Sequence, residues 1–142
     1  MRTLLHLALV CVFLTQTPAA NAGRPAPRVP AEVVRVIDGD TADFRAYPWP
    51  GIVIDARVRI LEIDTPERGW RAACEREGQL AEEALLLAEA LLSDGVLLHV
   101  RGHDSFGRLL AHIELSDGRD YAQVMLEHGL ALPYAERSRG WC

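Results

Sequence analysis

Val33-Val34-Arg35-Val36-Ile37-Asp38-Gly39-Asp40-Thr41-Ala42-Asp43-Phe44-Arg45 joins two β-forming runs through an Asp-Gly pair. Val33 to Ile37 is β-branched apart from one arginine, a composition that suits a pleated, half-buried surface, and Thr41 to Arg45 resumes after the turn residues. The stretch therefore predicts a hairpin. Downstream, Tyr47-Pro48-Trp49-Pro50-Gly51 predicts a turn or loop. Ile52 to Ile63 then predicts one long strand, with alternation over Arg57-Val58-Arg59-Ile60, ended by Thr65-Pro66. From Glu77 to Leu92, apolar residues recur at Leu80, Ala84, Leu85, Leu87, Ala88 and Leu91-Leu92, the stripe of a core-facing helix, with Ser93-Asp94-Gly95 as its stop. Val96 to Val100 and Leu109 to Leu115 predict two further strands, and Asp120 to His128, closed by Gly129, a short second helix. A parallel α/β sheet would alternate its elements, whereas this order is three strands, helix, two strands, helix. It fits a mainly β (α+β) protein, a five-stranded barrel of the OB type with two or three helices.

The ends of the chain carry different signals. Arg2 precedes the apolar run Leu4 to Leu14, and small and polar residues follow, ending in Ala20-Asn21-Ala22. This is the pattern of a signal peptide over residues 1–22, and the run is shorter than the ~20 residues of a membrane span. Export to the periplasm or the medium is the expectation. Residues 23–30 read as a proline-rich leader with little to pack, so ordered structure is expected from about Ala31, and one domain over 31–142. Once the signal peptide is removed, two cysteines remain, Cys74 and Cys142. In an oxidising compartment the simplest outcome is one disulfide between them, two free thiols being the alternative. Their spacing does not suit a zinc site.

With 49% hydrophobic and 25% charged residues the chain belongs to the globular class. Its net charge is −5, and loss of Arg2 with the signal peptide makes it more negative. Tight, nonspecific attachment to nucleic acid is thereby disfavoured. Catalysis on a phosphate is not, because a local pair of arginines beside a cation can hold one phosphate on an otherwise acidic surface. Every basic residue other than histidine is an arginine, a side chain suited to bidentate phosphate contacts, although compositional bias explains the absence of lysine equally well.

The candidate chemistry lies in three clusters: Asp38 to Thr41, then Arg59 with Asp64-Thr65-Pro66-Glu67, then Asp104 to Arg108. Asp40 and Asp64 are carboxylates for a hard divalent cation, to which Thr65 can add its carbonyl. Glu67, directly after a proline, is a candidate general base. Arg59 and Arg108 are suited to clamping a phosphate and offsetting charge as phosphorus becomes five-coordinate. Strict alternation puts Arg59 and Asp64 on opposite faces of a flat strand, so this reading requires the strand to bend between them.

With these motifs in place, the chain resembles the staphylococcal-nuclease-like, or thermonuclease, family over roughly Ala31 to Tyr134. The resemblance is carried by Val-Ile-Asp-Gly-Asp-Thr at 36–41, Arg59 before Ile-Asp-Thr-Pro-Glu at 63–67, Asp-x-x-Gly-Arg at 104–108 followed by Leu-Leu-Ala-His-Ile, the Asp117-Gly118 turn, and His-Gly-Leu-Ala at 128–131. It implies an OB-fold barrel and a calcium-dependent nuclease that cuts DNA and RNA to 3′-phosphate products. It also implies Asp40, Asp64 and Thr65 as the Ca2+ ligands, and Arg59, Glu67 and Arg108 as the catalytic residues. DNA or RNA is then the partner, as substrate, with no membrane association after cleavage and a monomeric state. The chain departs from the family pattern at Ser105-Phe106, where a well-studied relative has a lysine and a tyrosine; Phe106 can stack on a base but cannot donate those hydrogen bonds. Tyr134 falls near the family's base-contacting tyrosines, the third helix shortens to Ala135 to Arg139, and the Trp141-Cys142 ending resembles an exported subgroup.

A rival reading is a non-catalytic OB-fold module that binds nucleic acid or protein. His99, His103, His112 and His128 lack ligand spacing and are expected on the surface. Trp49 and Trp70 flank the expected cleft, where stacking on bases competes with the commoner packing role.

Overall fold

The hairpin forms, and its strands run longer than their local composition indicates. A computed structural model describes residues 26–142, so the signal-peptide reading of 1–22 and the start of the leader lie outside the described residues. Strand β1 (Arg28–Asp38) pairs antiparallel with β2 (Thr41–Trp49), and β2 with β3 (Ile52–Ile60). Along β2 the side chains alternate, with Ala42, Phe44 and Ala46 buried while Asp43 and Arg45 face out. The outward residues meet opposite charges across the ladder, Asp43 against Arg57 and Arg45 against Asp55.

Ordered structure begins earlier than expected. Arg28, Val29 and Pro30 of the leader pair with His99, Leu98 and Leu97 of β5 (Val96–His103). Arg28 also reaches Glu114 at 2.8 Å. Composition marked this segment as unpackable, yet closing the barrel supplies a partner strand that the local sequence does not contain. The predicted single strand from Ile52 to Ile63 is also corrected. It stops at Ile60, turns through Leu61-Glu62, and resumes as the two-residue β4 (Ile63–Asp64). Glu62 takes a positive φ of 69°, a conformation that costs a non-glycine residue energy and breaks the alternation.

Strand β6 (Leu109–Leu115) completes the barrel, antiparallel to β5 and parallel to β3. The closed order β1-β2-β3-β6-β5, with two α-helices and two 3-10 segments, is that of an OB-fold α+β barrel. Phe44, Val58, Ile60, Leu98 and Ile113 fill it. Helix α1 (Glu75–Leu92) packs against β1 and buries Leu92 with Ala81, Ala84 and Ala88, the alanines being small enough to allow close approach. Helix α2 (Tyr121–Glu127) is capped by the Asp120 carboxylate on the Gln123 amide and buries Tyr121, Val124 and Met125. The two-residue β7 (Leu132–Pro133) pairs with β4, and a 3-10 turn at Tyr134–Arg139 stands where the shortened third helix was expected. Among the described residues no helix is long and apolar enough to cross a membrane.

Cys74 and Cys142 form a disulfide with their Cα atoms 6.1 Å apart, tying the last residue of the chain to the start of α1. They are separated by 68 residues in sequence, and cross-linking so long a loop restricts the unfolded chain by up to about 4 kcal/mol. Cys142→Ser is expected to lower the unfolding free energy by ~2–4 kcal/mol, read from urea unfolding with the slope fitted for each protein, the slope rising as the unfolded chain is freed.

Candidate active site

The site starts at the Asp-Gly turn. The Asp40 amide donates to Asp38 Oδ1 at 3.2 Å, and the buried Tyr121 hydroxyl of α2 donates to the Gly39 carbonyl at 2.6 Å, so the turn is held from both sides. Gly39 is required by close approach rather than by its φ. A β-carbon there would lie 2.8 Å from Thr65 Cγ2 and 3.0 Å from Thr65 Cβ. That contact lets the Thr65 amide donate to Asp40 Oδ2 at 3.0 Å, while the Thr41 hydroxyl donates to Oδ1.

Arg59 lies next to Asp40, and the bend in the chain is what makes this possible. Its guanidinium donates to the carbonyls of Ile60 (2.8 Å), Ile63 (3.0 Å) and Asp40 (3.4 Å), filling the turn at Leu61-Glu62. The same group lies 3.2 Å from an Asp40 carboxylate oxygen and 3.7 Å from one of Asp64. Thus Asp40, from the first hairpin, converges with Arg59, Asp64 and Thr65 of a later segment. The Arg59 side chain is only 13% exposed, so part of its fork is committed to protein.

The electrostatics of the cluster are unbalanced toward negative charge. Burial pushes the Asp40 carboxyl up to about 7, opposed by Arg59 and raised further by Asp38. Asp64 is raised by burial as well, with Arg59 and Arg137 acting against the shift and Glu77 and Asp38 adding to it. Burial likewise raises the Tyr121 hydroxyl, and Asp40 and Asp38 act in the same direction. One guanidinium does not compensate two carboxylates removed from water, and a second cation would lower the energy of the pair.

Beside this cluster lies an open groove of about 710 Å³, lined by Arg59, Asp104, Phe106, Arg108 and Tyr134 among others. Arg108 enters it because Asp104 builds the preceding turn: its carboxylate accepts from the amides of Phe106 (2.9 Å) and Arg108 (3.0 Å) and from Arg108 Nε (2.8 Å). Gly107, at φ 80°, closes that turn. Phe106 is 84% exposed, with Arg108 Cζ 5.8 Å from its ring centre. Tyr134 is delivered from the far end of the chain by the β4–β7 pairing and by its own amide, which donates to the Glu62 carbonyl at 2.8 Å. Its ring lies 5.8 Å from Arg59 Cζ and 4.2 Å from Arg137 Cζ.

Glu67 follows the buried Pro66 but does not line the groove. Its exposed carboxylate pairs with Arg71 Nε at 3.0 Å, and Arg71 also comes within 4.0 Å of Asp38. The tryptophans correct the packing expectation, since Trp49 is 73% and Trp70 94% exposed, and neither lines the groove. His99 pairs with Glu114 on the barrel surface. Asp104, placed by the sequence in the third cluster without a role of its own, orients Arg108, and Glu77, read only as the first residue of the predicted helix, is buried beneath the Glu67 segment.

A model of the staphylococcal nuclease homologue family matches residues 57–140, more than half of the chain. The chain belongs to that family. Protein ParB of Escherichia coli is 34% identical, over 76% of this chain and 59% of its own length, so the chain spans about three-fifths of that relative. The span matched to the staphylococcal nuclease homologue family contains Arg59, Asp64, Thr65, Glu67, Phe106, Arg108 and Tyr134 but stops short of Asp40. The tertiary contacts of Asp40 with Arg59 and Thr65 join it to that span.

The donor set suits a hard cation. Asp40 and Asp64 bring oxygen ligands with uncompensated charge, whereas among the described residues no three His, Cys, Asp or Glu side chains gather at one point. A cation here would need carbonyl and water oxygens to complete its shell, which suits calcium and magnesium, whereas zinc sites are normally built on three or four His, Cys or carboxylate side chains.

Gly39→Ala is expected to cost ~1–3 kcal/mol by forcing Thr65 off Asp40, measurable by urea denaturation. Asp40→Asn, in chelator, is expected to be more stable than the unsubstituted protein at about pH 8, the difference closing toward about pH 4. The sign follows from the raised carboxyl, which the folded protein must ionise as pH climbs from its ordinary 3.8 through about 7; thermal denaturation across pH checks it.

Proposed function

We propose that this protein is an exported phosphodiesterase that hydrolyses DNA or RNA, with Arg59 and Arg108 holding the scissile phosphate and Glu67 accepting the proton of the attacking water. The observation that carries this reading is the juxtaposition of Arg59, wedged against Asp40 and Asp64, with a groove that Arg108 also lines. Membership of the staphylococcal nuclease homologue family supports the same chemistry. The disulfide supports export to an oxidising compartment.

Asp40, Asp64 and the carbonyl of Thr65 would hold the divalent cation, calcium in our reading. When bound, such an ion supplies Lewis-acid polarisation of the phosphate. Arg108 offers its planar fork to the nonbridging oxygens, oriented by Asp104, and Arg59 offers the part of its guanidinium not spent on carbonyls. Phe106 and Tyr134 present ring faces to the flanking nucleotides, a mode of contact that tolerates any base. Glu67 takes the proton of water and, in the ground state, rests on Arg71.

The test is degradation of plasmid and of single-stranded DNA and RNA in calcium, magnesium, manganese or chelator. Chelator-sensitive cleavage is expected, and Glu67→Gln should reduce its rate at least ~100-fold. A gel shift without cleavage under every condition would replace the enzyme by a binding module.

A further inference from the structure

Beyond the buried Pro66, the segment that carries Glu67 and leads to α1 has little of its own to hold it in place. Its 3-10 turn, Gly69–Arg71, buries no residue, and Trp70 within it stands in solvent. Such a segment would ordinarily sample many conformations, which is incompatible with a base that must meet one water in one geometry. What restrains it is a carboxylate from the following helix.

Cys74 is the N-cap of α1, which makes Glu77 the third residue of the helix. A glutamate at that position normally reaches back to the amide of the N-cap residue itself, closing a capping box. Glu77 reaches further. Its Oε2 accepts from the Ala73 amide at 2.6 Å and its Oε1 from the Glu67 amide at 3.1 Å, so one buried carboxylate, 6% exposed, receives the first and the last N–H of the segment. The N-terminal end of α1 favours negative charge at this place, and the bonds are charge-assisted. Glu77 is also close enough for its charge to be felt at Asp64. Arg68, bound to the Ile37 carbonyl and to Glu82, and the disulfide at Cys74 hold the segment elsewhere, but neither touches the Glu67 backbone.

We propose that Glu77 is the positioning residue for Glu67: by bridging the Glu67 and Ala73 amides it fixes the path on which the base is carried. This role rests on Glu67 being the base, and it makes Glu77 act on turnover through another residue rather than on the substrate. A group of this kind affects kcat and leaves KM nearly alone. Removing it misplaces the base by a fraction of its side-chain length, and a misplacement near 1 Å costs up to ~100-fold.

Glu77→Gln keeps the size of the side chain but turns one acceptor into a donor facing an N–H. It is expected to lower kcat about 10- to 100-fold on single-stranded DNA with KM little changed, and to abolish the slow hydrogen exchange of the Glu67 and Ala73 amides. In a Glu67→Gln background the same substitution should have no further effect on kcat. Glu77→Asp, which retains the charge at the helix start but reaches only one amide, should give an intermediate loss, and it serves if the glutamine variant does not fold. Full kcat in both Glu77 variants would overturn the proposal, as would an undiminished additional loss in the Glu67→Gln background. If Glu67→Gln itself is fully active, the base assignment and this role fall together; if Glu67→Gln is inactive while the Glu77 variants match the unsubstituted protein, only the role of Glu77 falls.

Discussion

A guanidinium surrounded by three backbone carbonyls and two carboxylates is the interaction around which the site is organised. Arg59 donates to Ile60, Ile63 and Asp40 carbonyls, and these bonds are compatible only with a chain that leaves the barrel at Leu61 and turns back through a left-handed Glu62. The turn carries Ile63 and Asp64 toward the first hairpin, where Thr65 abuts Gly39 and the Asp40 carboxylate receives the Thr65 amide. Without the arginine, carbonyls freed from the sheet at the turn would lose donors, and the buried Asp40 and partly buried Asp64 carboxylates would lose the cation they share.

That arrangement also leaves the site poised for further positive charge. A single arginine offsets part of the cost of burying Asp40 and Asp64, and both carboxyls remain above their ordinary range. Asp38 adds to the pressure on both. Local electrostatics, rather than the net negative charge of the whole chain, set what the groove attracts. An acidic protein can therefore present Arg59 and Arg108 to a phosphate while binding the rest of a polyanion weakly.

The scaffold holds its candidate site side chains by backbone bonds made through carboxylates. Asp104 closes the turn before Arg108, Asp38 holds the Asp40 amide, and Glu77 spans the segment that bears Glu67. In each case a carboxylate accepts from peptide N–H groups that strand or helix pairing cannot reach. Loops that would otherwise be mobile are thereby given one conformation at the rim of a rigid barrel.

Local pattern alone determined much of this protein. The β-branched runs, the Asp-Gly turn and the alanine-leucine stripe of α1 specify five strands and two helices, because burial period and turn chemistry act within a few residues. The spaced acidic and basic motifs marked Asp40, Arg59, Asp64, Thr65 and Arg108 as a set before any contact was known. Only the tertiary structure decided where the first strand begins, since Arg28 to Pro30 become ordered by pairing with a strand far along the chain. It also decided how Arg59 and Asp64 come to share one side, through a single left-handed residue that no alternation rule foresees. Tyr134 and Glu77 likewise acquire their places from partners remote in sequence or hidden within a helical stripe. Propensity is a property of neighbours along the chain, whereas burial, ion pairing and closure of a barrel depend on what the fold brings together.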